Sequence, residues 1–195
     1  MHTQYRRHLP HIHPPGGALF LTMRLAGSLP QAVLDDRRTP AADLLSQRQR
    51  FASYEQQLET GAYGPTWLRQ PAVMALVLAG LRQQAAQGHY ELLAACAMPN
   101  HLHVVLRLPL VGHEPFYRAM QRFKSATAVL ANREVGRSGR FWQDESYDHV
   151  VREGQADALA RAVRYTVYNP VKAGLCQRWQ DWEGTYLAEE WQELV

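Results

Sequence analysis

Hydrophobic positions along the chain follow two different periods, and stretches of the two kinds alternate. Four short stretches are apolar at nearly every position or at every second one, as in β-strands; they cover residues 17–26, 90–98, 101–108 and 141–152. Three longer stretches repeat apolar residues every three to four positions, as in α-helices; they cover residues 71–87, 115–132 and 155–168. This order predicts an α+β sandwich with a mostly antiparallel sheet.

Several of these segments also have predictable ends or faces. Pro71 lies where the first helix begins, a position that suits proline. Pro99 and Asn100 separate the second and third strands and predict a tight antiparallel hairpin. The helix at 115–132 has an apolar stripe that comprises Phe116, Met120, Phe123 and Leu130. Its polar stripe comprises Arg118, Arg122 and Ser125. We expect the apolar stripe to pack in the core.

Three segments lie outside the alternation. Residues 1–16 are rich in proline and histidine and predict an extended arm; because prolines flank His11 and His13, we interpret that pair as an arm feature, not as a ladder strand or second metal site. Residues 27–67 form a long insertion with a helix predicted over 41–58, and residues 176–195 form a C-terminal tail. With 195 residues, 46% of them hydrophobic, we expect one domain.

Positive charge is concentrated in one part of the chain. The formal net charge is +3, and nearly all of the 21 basic residues are arginines, which bind phosphates and base edges through a planar fork. Glu134 is the single acid between residues 118 and 140. We identify candidate DNA-binding residues in this run, namely Arg118, Arg122, Lys124, Ser125 and Arg140. The alternative for such a run is a solvated helix face.

Cysteine content and hydropathy bear on the compartment. Cys96 and Cys176 are too few for a disulfide framework, which favours a reducing compartment. The N-terminal residues lack the apolar core of a signal peptide, and no apolar run approaches membrane-spanning length. We therefore expect a cytoplasmic protein with no membrane partner.

Four residues carry most of the chemical information. Alternate residues of a strand share a face, so His101 and His103 are expected to project together. Residues four apart share a helix face, so Tyr165 and Asn169 can present a phenol and an amide oxygen to one point, whereas Tyr168 points away and is expected to pack against the sheet. The alternative for an isolated His-x-His pair is two hydrogen-bonded structural histidines.

This set of side chains suits phosphodiester transesterification. A phenol with a pKa of about 10 is a weak nucleophile at neutral pH. A phosphodiester is anionic, so it repels an attacking nucleophile. A divalent cation neutralises that charge and polarises phosphorus. The imidazoles of His101 and His103 and the amide oxygen of Asn169 form a neutral nitrogen and oxygen set, which suits Mg²⁺ or Mn²⁺ better than a sulfur-rich zinc site does.

Three separated motifs resemble those of the REP-associated tyrosine transposases, a branch of the single-tyrosine HUH transposases. They are MPNHLHVVL, residues 123–153 (FKSATAVLANREVGRSGRFWQDESYDHVVRE) and residues 165–175 (YTVYNPVKAGL). The resemblance extends over roughly residues 17–185. One departure is DWEGTY at residues 181–186, where a Trp-Ser-Ser pattern is more usual, and it puts the packing of the tail in doubt.

The resemblance implies a ferredoxin-like HUH fold and a role for each residue. His101 and His103 are implied as metal ligands, Asn169 as the third ligand, and Tyr165 as the nucleophile that becomes linked to a 5′-phosphate. The implied substrate is single-stranded DNA folded into hairpins of repetitive extragenic palindromes in bacteria. The segment Tyr5-Arg6-Arg7 resembles an N-terminal segment that contacts a short guide sequence beside the hairpin.

Other functional classes differ from this one in specific residues. A histidine-triad nucleotidyl transferase needs a third histidine where this chain has Val105. A non-catalytic hairpin-binding regulator of the same fold stays an alternative, as do monomeric and homodimeric assembly.

Overall fold

The computed structural model describes residues 4–6, 10–38, 44–112, 114–151 and 157–195. The strands among these residues are β1 (Gln4–Arg6), β2 (Pro10–Ile12), β3 (Ala18–Arg24), β4 (Glu91–Ala97), β5 (His101–Arg107), β6 (Tyr147–Val151) and β7 (Thr185–Leu187). The α-helices are α1 (Gln31–Arg38), α2 (Leu44–Glu59), α3 (Pro71–Ala86), α4 (Phe116–Glu134) and α5 (Ala158–Lys172). Short 3₁₀ helices lie at Trp67–Arg69, Trp179–Asp181 and Glu189–Leu194.

Five strands form one antiparallel sheet in the order β6-β3-β5-β4-β7. Within the unit β3-α3-β4-β5-α4-β6, the strands stand in the order fourth, first, third, second, which is the ferredoxin-like arrangement. The predicted hairpin at Pro99 and Asn100 joins β4 and β5, as expected. The predicted α+β fold is confirmed.

Helices cover both faces of the sheet. On one face, Leu102 and Val104 of β5 pack in a core with residues of α3 and α4. On the other, Val105 packs with Phe20 and with Val163 of α5. Since successive strand residues point to opposite faces, His101 and His103 lie on the α5 face. Burial on both faces explains why β5 reads as a continuous apolar run.

The insertion consists of α1 and α2. Tyr54 and Leu58 of α2 pack with Leu29 in a small separate core, against which Val33 and Leu34 of α1 lie. The helix predicted over 41–58 is therefore present as α2. Helix α1 was not predicted, because its eight residues are too few to show a helical period in the sequence.

The N-terminal segment is not a simple extended arm. β1 pairs with β2, and Tyr5 lies opposite His11 in that ladder, so the prediction that the His11 segment avoids a ladder strand is wrong. Pro10 is the first residue of β2, a position at which a missing N–H is tolerated. His13 is buried, with Nε2 2.8 Å from Oδ2 of Asp148 and its ring edge-on to Phe116.

Two helices differ from their predicted form. In α4, Phe116, Met120 and Phe123 are buried as expected, but Leu130 is 44% exposed, because the buried stripe continues through Thr127 and Ala131 instead. α5 does not end at residue 168, as predicted, but runs through Pro170 to Lys172.

Pro170 lies inside α5, where it lacks the N–H that would donate to the carbonyl of Thr166, yet helical bonding resumes after it. Beyond it, the N–H of Ala173 donates to the carbonyl of Asn169 at 2.9 Å, and that of Leu175 to Pro170 at 2.8 Å. Asn169 is therefore held within the last turn of the helix.

The final part of the chain completes the sheet. The strand predicted over 141–152 is present as the shorter β6, with Trp142 bridged separately to Leu25. It is not the last strand, because β7 of the tail pairs with β4. The tail segment DWEGTY packs on β4, where the indole of Trp182 donates to the carbonyl of Ala97 at 2.9 Å. No helix among the described residues is long and apolar enough to cross a membrane.

Candidate active site

The histidine pair lies at the start of β5. Its strand register places His101 opposite Arg24 and His103 opposite Thr22 of β3. Both imidazoles are fully buried. Their rings meet edge to face, and their Nε2 atoms lie 3.0 Å apart. The structure thus brings the two predicted ligands together at one point.

Hydrogen bonds to the two Nδ1 atoms assign the tautomers. Nδ1 of His101 lies 2.7 Å from Oδ1 of Asn100, an acceptor, so this Nδ1 carries the proton. Nδ1 of His103 lies 3.1 Å from Oγ1 of Thr22, which donates its own proton to Glu55, so this Nδ1 also donates. Burial lowers the pKa of His101 to about 3 and that of His103 well below its usual value. Both imidazoles are therefore neutral, with a lone pair on each Nε2.

Tyr165 projects from α5 over the same point. Its ring packs edge to face against Phe20 and His103, with centroid separations of 5.7 Å and 5.6 Å. Its hydroxyl lies 3.1 Å from Oε2 of Glu55 and 3.2 Å from Oε1 of Glu59, both on α2. Burial, followed by the charges of these two carboxylates, raises the pKa of Tyr165 far above its usual value. The phenol is therefore protonated at neutral pH.

Asn169 follows Tyr165 by one helical turn and is buried. Neither its Oδ1 nor its Nδ2 forms a hydrogen bond of normal geometry with the described residues, although the amide is near enough to Tyr165 to offset part of the rise in its pKa. A buried amide without partners costs about 1–3 kcal/mol. This cost points to a partner outside the protein, and an amide oxygen is a suitable ligand for a divalent cation.

Two acidic residues of this site, Glu55 and Glu59, were not predicted from the sequence. Ligand atoms of Glu55, His101 and His103 lie within 4.8 Å of one another, a group that could hold a metal ion. The neutral ligand set expected from sequence therefore has a carboxylate beside it. Glu59, one turn further along α2, accepts a hydrogen bond from Nζ of Lys172 at 2.8 Å. The available signal was two acids four residues apart on a predicted helix, but no motif tied that helix to the histidine pair.

The candidate DNA-binding residues of α4 lie elsewhere. Because Met120 and Phe123 pack on the face opposite His103, the basic run lies across the sheet from the histidine pair. Arg118 is exposed. Arg122 is engaged by Glu114, with Nη1 2.8 Å from Oε2 and a second, short bond from Nη2 to Oε1.

Other candidates gather in an open cleft of about 480 Å³ between α4 and residues 139–146. Lys124, Ser125 and Arg140 line it. Nζ of Lys124 donates to the carbonyls of Gln143 and Asp144, so this lysine also stabilises the wall of the cleft. Arg6 lies in β1, but its side chain is outside the described residues, as is the whole of Arg7.

Further aromatic residues and histidines near the motifs have clear positions. Tyr168 is 44% exposed; it points away from the histidine pair as predicted, but it does not pack against the sheet. Trp142 is buried, and its indole donates to Oγ1 of Thr127 at 2.9 Å, which favours packing over base stacking. His149 is exposed on β6, and the neighbouring Asp148 lies 2.8 Å from Nε2 of His13.

Comparisons with known proteins bear on the identity and the fold of the chain. No family profile matches the chain. The chain is 28% identical over 101 residues to a protein of Haemophilus influenzae (strain Rd) whose provisional name is REP-associated tyrosine transposase; the match covers 48% of this chain and 56% of that curated relative.

The fold is similar to a solved structure of a REP-associated tyrosine transposase bound to a REP hairpin. The TM-score is 0.54 at 20% identity, and the match covers 93% of this chain and 80% of that one. Together the two comparisons confirm the resemblance to REP-associated tyrosine transposases, and this second one confirms the fold.

Proposed function

We propose that the protein is a tyrosine transposase that cleaves and rejoins single-stranded DNA at hairpins of the repetitive extragenic palindrome type. The observation that carries this proposal is the convergence of the Tyr165 hydroxyl with the Nε2 lone pairs of His101 and His103 in one buried site. The hairpin substrate is supported by the similar fold of a transposase solved with a REP hairpin.

In the proposed reaction, the Tyr165 oxygen attacks the phosphorus of a phosphodiester. An oxygen–phosphorus bond forms, the bond from phosphorus to the 3′-oxygen breaks, and that oxygen leaves as a hydroxyl. The phenolic proton passes to Glu55 or Glu59, which already lie within hydrogen-bonding distance of the hydroxyl, and the departing 3′-oxygen takes up one proton from solvent, so the step conserves charge and protons. The strand stays linked through its 5′-phosphate to the tyrosine until another 3′-hydroxyl reverses the step, which needs no ATP.

His101, His103 and Asn169 would hold a divalent cation, Mg²⁺ or Mn²⁺. When bound, such an ion neutralises phosphate charge and polarises phosphorus. The residues fit this role because two imidazole lone pairs and an otherwise unpartnered buried amide meet the needs of a cation. Asn100 and Thr22 hold the two rings in the required tautomer through their Nδ1 atoms.

Binding of the hairpin would use phosphate contacts away from this site. We assign this role to the basic and polar residues identified in the sequence, namely Arg6, Arg7, Arg118, Arg122, Lys124, Ser125 and Arg140. Contacts of this kind position the nucleic acid and carry most of its affinity, whereas base contacts supply specificity.

The test is an adduct assay. A labelled REP-type hairpin oligonucleotide with single-stranded flanks is mixed with the protein and Mn²⁺ or Mg²⁺, and the products are separated in SDS. We expect an SDS-resistant protein–DNA band that disappears when EDTA is added. Hairpin binding without such a band would contradict the enzyme assignment and favour a non-catalytic DNA-binding regulator.

A further inference from the structure

Glu55 is a buried carboxylate at the point where α2 meets β3, β5 and α5. Glu55 is only 3% exposed to solvent. It contacts side chains from all three of these elements: Thr22 of β3, His103 of β5 and Tyr165 of α5. A charged group is rarely so buried unless it is paired or coordinates a metal, so its surroundings indicate its role.

The two oxygens of Glu55 face different groups. Oε1 accepts a hydrogen bond from Oγ1 of Thr22 at 3.0 Å. Oε2 lies 3.2 Å from Nε2 of His103, the atom that carries a lone pair when Nδ1 is protonated. A carboxylate oxygen and an imidazole lone pair are both electron donors, so they attract a shared cation and repel each other without one.

Thr22 orients both partners at once. Its hydroxyl accepts from Nδ1 of His103 and donates to Glu55, so a single side chain sets the imidazole tautomer and directs the carboxylate. This is the kind of outer contact that orients metal ligands in proteins.

We propose that Glu55 is itself a ligand of the cation, which makes the centre a site of two imidazoles, one carboxylate and the amide oxygen of Asn169. This inference rests on the proposed function, since it concerns the same centre. It goes beyond the ligand set expected from sequence, which has no charged member. An anionic oxygen ligand strengthens binding of hard cations such as Mg²⁺ and Mn²⁺. It also gives α2, and with it the insertion, a direct part in the active site.

Glu59 provides a matched control on the same helix. Like Glu55 it accepts from the Tyr165 hydroxyl, at 3.2 Å, so Glu59→Gln removes a charge of the same sign beside the same phenol. Its carboxylate is paired with Lys172 instead, and it is not part of the group of converging ligand atoms.

The experiment measures Mn²⁺ binding to the full chain without DNA, by electron paramagnetic resonance of free Mn²⁺. Loss of an outer contact weakens metal binding by about 10- to 100-fold, so loss of a ligand charge in Glu55→Gln should raise the Kd at least about tenfold. We expect Glu59→Gln to leave the Kd unchanged and His101→Ala to abolish binding.

The outcomes separate this inference from the proposed function. Loss of binding in His101→Ala with an unchanged Kd in Glu55→Gln would overturn the role of Glu55 alone. Unchanged binding in both variants would overturn the metal centre itself. Equal weakening by Glu55→Gln and Glu59→Gln would indicate a general charge effect and would also overturn the inference.

A measurement on the unaltered chain covers the case in which Glu55→Gln does not fold. Crystals grown with Mn²⁺ should show an anomalous peak about 2 Å from a carboxylate oxygen of Glu55 as well as from both Nε2 atoms. A peak bonded to His101 and His103, with Glu55 turned away, would contradict the inference.

Discussion

The Nε2 atoms of His101 and His103 lie 3.0 Å apart, and each carries a lone pair when its Nδ1 is protonated. Two lone pairs at this distance repel unless a cation or proton lies between them. Burial lowers the pKa of His101 to about 3, which disfavours the proton. Together with Glu55, the pair forms a group that could hold a metal ion.

Replacing either imidazole should abolish strand cleavage. His101→Ala or His103→Ala removes one proposed ligand and leaves the phosphate contacts that we propose for α4 in place, so hairpin affinity measured by gel shift should change little. Cleavage of a labelled oligonucleotide should fall to background in both variants and in EDTA. Full cleavage by either variant would contradict the assignment of these residues.

Arginines of α4 should differ in their contribution to DNA affinity. Arg118 is exposed, whereas the guanidinium of Arg122 is held by Glu114. Arg118→Gln should reduce the slope of log affinity against log salt by about 0.7–0.9, as expected for one lost phosphate contact. Arg122→Gln should reduce it less, because its charge is already compensated.

The measurement is hairpin affinity at several salt concentrations. Arg161→Gln is the matched control, because Arg161 is exposed and is not among the candidate DNA-binding residues. A slope that is identical in the wild type and in Arg118→Gln would place the DNA path away from α4.

Phe123 and Leu130 belong to the same predicted apolar stripe but differ in burial, so their replacement by alanine should destabilise the fold to different extents. Phe123 is fully buried and Leu130 is 44% exposed. Phe123→Ala should lower the free energy of unfolding by about 3–5 kcal/mol, and Leu130→Ala by about 0.5 kcal/mol or less. Urea denaturation followed by circular dichroism measures both values. A large loss in Leu130→Ala would show that this face of α4 is covered.

Alkaline pH should weaken the fold through Tyr90. Its buried hydroxyl donates to the carbonyl of Leu81 at 2.9 Å, and burial raises its pKa above the usual value. The unfolded chain releases this proton at about pH 10, whereas the folded chain retains it. The stabilisation is therefore complete below that pH and is lost as the pH rises.

Ionisation of Tyr90 in the unfolded chain should lower the free energy of unfolding of the wild type by about 0.8 kcal/mol between pH 8 and pH 10.5. Tyr90→Phe lacks the group, so its free energy of unfolding should fall by that much less over the same interval. Equal losses in the two proteins, measured by urea denaturation, would show that the pKa of Tyr90 is the same in the folded and unfolded states.

Local periodicity was sufficient to predict the central part of the site. The alternation in β5 places His101 and His103 on one face, and helical spacing places Tyr165 and Asn169 on one face of α5. Both relations depend on residues close together in sequence. The apolar runs of β4 and β5 predict their hairpin for the same reason.

Relations that depend on tertiary packing could not be predicted in this way. Glu55 precedes His103 by 48 positions, and tertiary contacts such as the packing of Leu58 and Tyr54 against Leu29 hold α2 near the sheet. Likewise Pro170 reads locally as a helix end, yet the burial of Val167 and Asn169 holds the last turn in place. The short β7 becomes a strand because the edge of β4 is available to pair with it.

The choice between two tyrosines tests the nucleophile itself. Tyr165 faces the histidine pair, whereas Tyr168 is rotated away and is 44% exposed. Tyr165→Phe should bind the hairpin but form no covalent adduct, and Tyr168→Phe should form the adduct at the wild-type level.

The most direct measurement is mass spectrometry of the peptide that carries the DNA after the wild-type protein reacts with the hairpin and Mn²⁺. We expect the 5′-phosphonucleotide on Tyr165, which α5 holds beside the histidine pair. A phosphonucleotide on Tyr168, or on any residue other than Tyr165, would contradict the assignment of the nucleophile and of Asn169 as its neighbouring ligand.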